Sequence, residues 1–292
     1  MNSTTPGAST NTTGPNMWIT SNLENCMFSI NVLFGLPTHS YIIWLIVKGT
    51  GSGVASEFFN LNLSVCEIGA CLDFVFFVLG NWIFFLLLLA LFFQGFAITG
   101  RALFQCLICV ERYLAVVHPV TFLKYKPLRY RVICCTVAWI IIFGSCLVCM
   151  FTLMSNNINA HTWFFSIQFI LFLSIQLFCL VAVLRALKQS GPGERWKKRE
   201  EENHMKRRAF HLILITTVNM VITYVPIIIS GVFIILKKHY DLAYWAPGVV
   251  CFVLAGFVQP VLYLHRADEV IPYFIIVATV TYDCDICASE II

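Results

Sequence analysis

Charge is scarce along this chain. Only 12% of its 292 residues are Asp, Glu, Lys or Arg, against roughly 25% in soluble domains, while 59% are hydrophobic and the mean hydropathy is +0.82. So few charges cannot clothe a water-soluble surface, and the composition predicts an integral membrane protein. The first 25 residues contain no Lys or Arg and no apolar core, so no secretory signal is expected and insertion should rely on the first span. Enzyme signatures are missing as well. No P-loop, HExxH or Ser/His/Asp set occurs, so neither an enzyme nor a cofactor is predicted. A net charge of +4 is too small to suggest a nucleic-acid partner.

Cysteine, by contrast, is plentiful, yet its placement argues against a disulfide framework. Of the 13 cysteines, ten lie within apolar runs, from Cys66 to Cys251, where a thiol behaves as a small hydrophobe. Cys26 lies near the predicted outer surface, and Cys284 and Cys287 in the tail are candidates for palmitoylation. No Cys/His spacing suggests a metal site, and none is predicted.

A membrane crossing needs about 20 apolar residues. Seven such runs occur, at about 27–47, 58–79, 84–116, 132–154, 163–187, 209–236 and 244–264. Pro37 and His39 interrupt the first, Pro226 breaks the sixth and Pro260 the seventh. The predicted fold is all-α, a seven-helix transmembrane domain at 27–266 between tails at 1–26 and 267–292. Lys48, the basic residues of 124–131 and those of 185–208 fall on one side of the membrane, and only Lys237 and Lys238 on the other. The positive-inside rule then puts the amino terminus outside and the carboxyl tail in the cytoplasm. Asn2 and Asn11, each opening an Asn-x-Thr sequon, would be exposed there for glycosylation. Residues 155–162 read as a polar loop. Glu and Lys/Arg alternate at helical spacing within 188–208, which can extend spans five and six as charged helices. No inverted repeat of the transporter kind is visible.

Against this apolar background the charges inside the spans stand out. Span three carries Arg101 deep within it and ends in Glu111-Arg112-Tyr113, followed by His118-Pro119 and a basic loop. Arg101 and Arg112 are eleven residues apart, about three helical turns, and so share one face roughly 16 Å apart. Glu67 lies a third to halfway through span two. An unpaired charge at that depth is costly, so partners are expected. Arg101 either pairs with Glu67 or opens onto a water-filled pocket as an anion site.

ERYLAVVHP at the end of a long third span resembles the cytoplasmic end of span three in rhodopsin-like (class A) G-protein-coupled receptors. Asn62-Leu63 with Glu67, Trp139, Pro226 and the span-seven motif QPVLY (Gln259 to Tyr263, similar to NPxxY) extend the resemblance over about 27–266. It implies a multi-pass protein of the plasma membrane that couples an extracellular ligand to a heterotrimeric G protein. In the Glu111-Arg112-Tyr113 motif, Arg112 would meet the G protein when active and Glu111 would hold it when inactive. Tyr263 would swing inward with Pro260 as its flexible backbone, Pro226 would be the pivot of span six, and Tyr224 its toggle. Relatives hold a sodium ion between an acid of span two and a small polar residue of span three, positions occupied here by Glu67 and Arg101. The implied arrangement is a buried bidentate pair, with His39 and Gln259 supplying the remaining hydrogen bonds.

Departures from the pattern shape the alternatives. Basic Lys206 stands where a second acidic latch for Arg112 is usual, span five has neither Pro nor Tyr, and the cysteine pair of span three and the second outer loop is missing. A receptor-like protein with weak or no coupling, acting as decoy or heteromer partner, is therefore one alternative. A transporter or channel with Glu67 and Arg101 on its pathway is another. Gln94 replaces the Asp of amine receptors and span seven has no Lys, so the ligand is predicted to be neither a typical amine nor retinal. Candidate pocket residues are Asp73, Gln94, Gln168, Trp163 and Trp245.

Overall fold

The computed structural model describes residues 25–48, 57–80, 82–125, 128–188, 196–237 and 246–266. Asn2, Asn11, Trp245, Cys284 and Cys287 lie outside the described residues. Among the described residues seven helices are long and apolar enough to cross a membrane: α1 (Asn25–Lys48), α2 (Phe58–Gly80), α3 (Phe84–Val117), α4 (Leu128–Met154), α5 (Ile158–Lys188), α6 (Trp196–Lys237, with its apolar span at Lys206–Phe233) and α7 (Ala246–Leu264). No strand occurs among the described residues. A short helix, Pro119–Tyr125, follows α3, with proline in the first turn where its missing N–H costs nothing.

Helix ends differ from the hydropathy reading where polar residues cap rather than break. Only Ser155, Asn156 and Asn157 separate α4 from α5, because Asn157 Oδ1 accepts the Ala160 N–H at 3.1 Å and starts the helix there. Asn156 takes φ 52°, the left-handed conformation that asparagine tolerates best among residues with a side chain. The charged segment after α5 is helical from Trp196 and runs into α6 without a break.

The prolines act differently from one another. Pro226 lies within continuous helix, so α6 is not interrupted there as expected. In α7 the interruption falls at Phe257, three residues before Pro260. Pro260 has no N–H to offer the Gly256 carbonyl, so the chain re-forms its ladder with Phe257 N–H donating to the Leu254 carbonyl (3.2 Å) and Val261 N–H to that of Phe257 (3.1 Å). In α1 the turn before Pro37, Asn31–Gly35, widens to π-helix.

Helix α3 is the centre of the bundle and packs on α2, α4, α5 and α6. Its approach to α4 depends on a bare Cα, since a Cβ on Gly95 would lie 2.6 Å from Cys146 Cα. Beside that contact, Phe96, Phe104 and Phe143 surround Trp139, whose indole N–H donates to Asn62 Oδ1 of α2 at 2.8 Å. The outer faces of α4 and α5 are large and apolar, with Ile140 and Ile167 about two-thirds exposed, as lipid contact requires.

Candidate functional site

The largest fully buried side chain among the described residues is a charged one. Arg101 is 1% exposed and Glu67 4%. Arg101 Nε donates to Glu67 Oε1 and Nη2 to Oε2, both at 2.6 Å, which makes a two-pronged fork across α2 and α3. Its remaining edge belongs to α7. Nη1 donates to the Phe252 carbonyl at 2.9 Å, and the guanidinium carbon lies 4.0 Å from the Phe252 ring centroid. Gly256, one turn on, permits the approach, since its Cβ would sit 3.1 Å from Nη2. Asn219 of α6 binds the same turn, its Nδ2 donating to the Ala255 carbonyl at 3.3 Å. One guanidinium thus joins three helices.

Two expectations about this pair are corrected. Neither His39 nor Gln259 bonds it: His39 Nδ1 and Gln259 Oε1 are buried without a partner, and Gln259 Nε2 donates to Asn60 Oδ1 at 3.4 Å. The Phe252 backbone takes the bond instead, because α7 comes close enough at Gly256 for a carbonyl to fill the open edge. Arg101 does not open onto a water-filled anion pocket either, being enclosed by these partners.

Just ahead of Arg101, the segment Phe96–Gly100 of α3 widens to π-helix. Tyr224 of α6 accounts for it. Its hydroxyl donates to the Ile98 carbonyl at 2.6 Å and faces the Ala102 N–H, the two groups that would pair with each other in a regular helix. A side chain inserted into the ladder opens the turn.

Cavities lie on both sides of this layer. Toward the start of α3, a cavity of about 870 Å³ including its mouth is lined by Asp73 and Gln94 together with His161, Thr162, Phe165, Tyr224 and Phe252. Gln168 and Trp163 do not line it. Gln168 closes a triad instead, accepting from Thr99 Oγ1 (2.9 Å) and donating to Ser145 Oγ (3.5 Å), and Trp163 is 63% exposed on the outer face of α5. His161 and Thr162 were hidden from sequence reasoning because they read as loop; the Asn157 cap just before them was the available signal. Toward the end of α3, Arg112, Gln259 and Tyr263 line a second cleft with Asn60 and Thr216. Glu111 is bound there by Arg131 of α4 at 2.5 Å, a residue that had looked like part of the basic loop. Tyr113 packs edge-on against Phe178 of α5, with its hydroxyl 3.1 Å from His118 Nε2.

Residues 39–263 match the family model described as 7 transmembrane receptor (rhodopsin family). The chain belongs to this family. It is 26% identical to Hydroxycarboxylic acid receptor 2 of Rattus norvegicus over 238 residues, covering 73% of this chain and 64% of that protein. To Chemokine XC receptor 1 of Homo sapiens it is 29% identical over 192 residues, covering 59% and 57%. To the Uracil nucleotide/cysteinyl leukotriene receptor of Homo sapiens it is 23% identical over 289 residues, covering 85% and 75%. The chain thus spans less than two thirds of the length of the first two relatives. This member of the rhodopsin family is a multi-pass membrane protein whose match begins at His39 within α1 and ends at Tyr263 in α7, reaching into all seven spans.

Proposed function

We propose that this receptor sits in the plasma membrane with its amino terminus outside and transmits the binding of an extracellular ligand to a heterotrimeric G protein. The observation that carries the reading is the sharing of Phe252 and Tyr224 between the first cavity and the buried layer. Both line the cavity, while Phe252 holds Arg101 and Tyr224 holds the Ile98 carbonyl just ahead of it. An occupant touching these two side chains acts on α3, α6 and α7 together and shifts the population between two packings of the bundle. Helix α3 leads from that layer to Arg112 at the opposite cleft, the surface offered to the G protein. The relatives are named for a hydroxycarboxylic acid, a chemokine and nucleotide or leukotriene ligands, a spread too wide to assign any of them to this chain.

Basal activation of each G-protein family in cells, at matched surface expression, tests the proposal. Wild type should activate at least one family above vector, and Arg112→Ala should lose that signal. Equal signals across all families would favour a receptor-like partner that does not couple. The basic Lys206 at the base of α6, where an acidic latch for Arg112 is usual, and the missing cysteine pair of span three favour that second reading.

A further inference from the structure

We infer that the cavity beside Phe252 binds a compact organic cation, with its charged nitrogen against Asp73 of α2 and its apolar body on Phe165, Tyr224 and Phe252. The inference rests on reading this cavity as the ligand site of the proposed receptor, and it names the ligand's chemistry.

Charge decides first. Among the described residues Asp73 is the one carboxylate lining the cavity, and no Lys or Arg lines it. The nearest guanidinium, Arg101, is neutralised by Glu67 and screened from the cavity by the Phe252 ring. An anion entering here would find an acid and no cation to compensate it, whereas a cation would ionise, and pair with, an acid that no described cation neutralises. Shape and polarity agree. Four aromatic rings, those of Phe28, Phe165, Tyr224 and Phe252, and aliphatic side chains of α6 and α7 line much of the remainder, the surface that suits both an apolar body and a cation over a ring face. His161 also lines the wall, its Nδ1 3.3 Å from Thr152 Oγ1 and its ring edge-on to Phe165 at 4.6 Å. The sequence discounts an amine because Gln94 stands at the α3 position of the amine receptors' acid; Asp73 supplies the acid from α2 instead, so a cation is admitted here by a route that expectation did not include.

Three probes of nearly equal shape separate the possibilities on purified full-length receptor in detergent, read by thermal unfolding: phenethylammonium, neutral phenethyl alcohol and anionic phenylacetate. Phenethylammonium should raise the melting temperature in a dose-dependent way and the alcohol less, while phenylacetate should do nothing. Asp73→Asn should weaken phenethylammonium binding by about tenfold or more and leave the alcohol unchanged. Val249→Trp, which fills the cavity from α7 and leaves Asp73 unsubstituted, should abolish both. If Asp73→Asn cannot be purified, the order of the three probes on wild type and its loss in Val249→Trp decide the matter. Phenylacetate matching or exceeding phenethylammonium, no response to any probe, or full phenethylammonium binding in Asp73→Asn would each overturn the inference. Binding is read here without any G protein, so a receptor that never signals still passes or fails.

Discussion

At the scale of single residues, the chemistry of the layer follows from what a buried guanidinium needs. Its two-pronged carboxylate and one carbonyl satisfy it in a place where water cannot. Removing one partner strands a charge. Glu67→Gln and Arg101→Met are each expected to lower stability by about 3–5 kcal/mol, seen as loss of surface expression and earlier melting. The apolar double variant Glu67→Leu with Arg101→Met should recover most of that loss, since neither charge is then left alone. A charge swap (Glu67→Arg with Arg101→Glu) should recover less, because the carboxylate moved onto α3 would face the Phe252 carbonyl and the negative face of its ring. Gly256→Ala should cost about 1–3 kcal/mol by pressing on Nη2, and Gly256→Val more. Glu67 and Arg101 were legible in the sequence because an ionisable residue in an apolar run demands a partner. Phe252 was not. It contributes a carbonyl, which every residue carries, and a ring among 26 phenylalanines.

At the scale of elements, hydropathy made all seven helices legible, since lipid leaves no other way to satisfy the backbone. Their irregularities were not. The widened turn Phe96–Gly100 has an ordinary apolar sequence, and its cause sits on another helix, in the Tyr224 hydroxyl. The α7 interruption was expected at Pro260 and lies at Phe257, because a proline frees the carbonyl four residues before it. Tyr224→Phe removes the inserted hydroxyl and lets the Ile98 carbonyl and Ala102 N–H close on each other. The variant should lose about 1 kcal/mol of stability, and its basal signalling should differ from wild type because α3 and α6 are no longer tied at that turn. A melting curve alongside a basal G-protein assay checks both parts.

For the whole molecule, the account is of a rhodopsin-family bundle whose α2, α3 and α7 are joined by a fixed internal cation. Where relatives are expected to take up sodium, Arg101 fills the place and cannot dissociate. The balance between packings should then ignore the ion that tunes those relatives, while still responding to an occupant that moves Phe252 or Tyr224. The direct measurement is basal nucleotide exchange on G protein by receptor reconstituted in lipid, in sodium chloride against N-methylglucamine chloride at equal ionic strength. The account predicts identical rates in the two salts. A rate that falls as sodium replaces N-methylglucamine would show an exchangeable ion at the layer and contradict it.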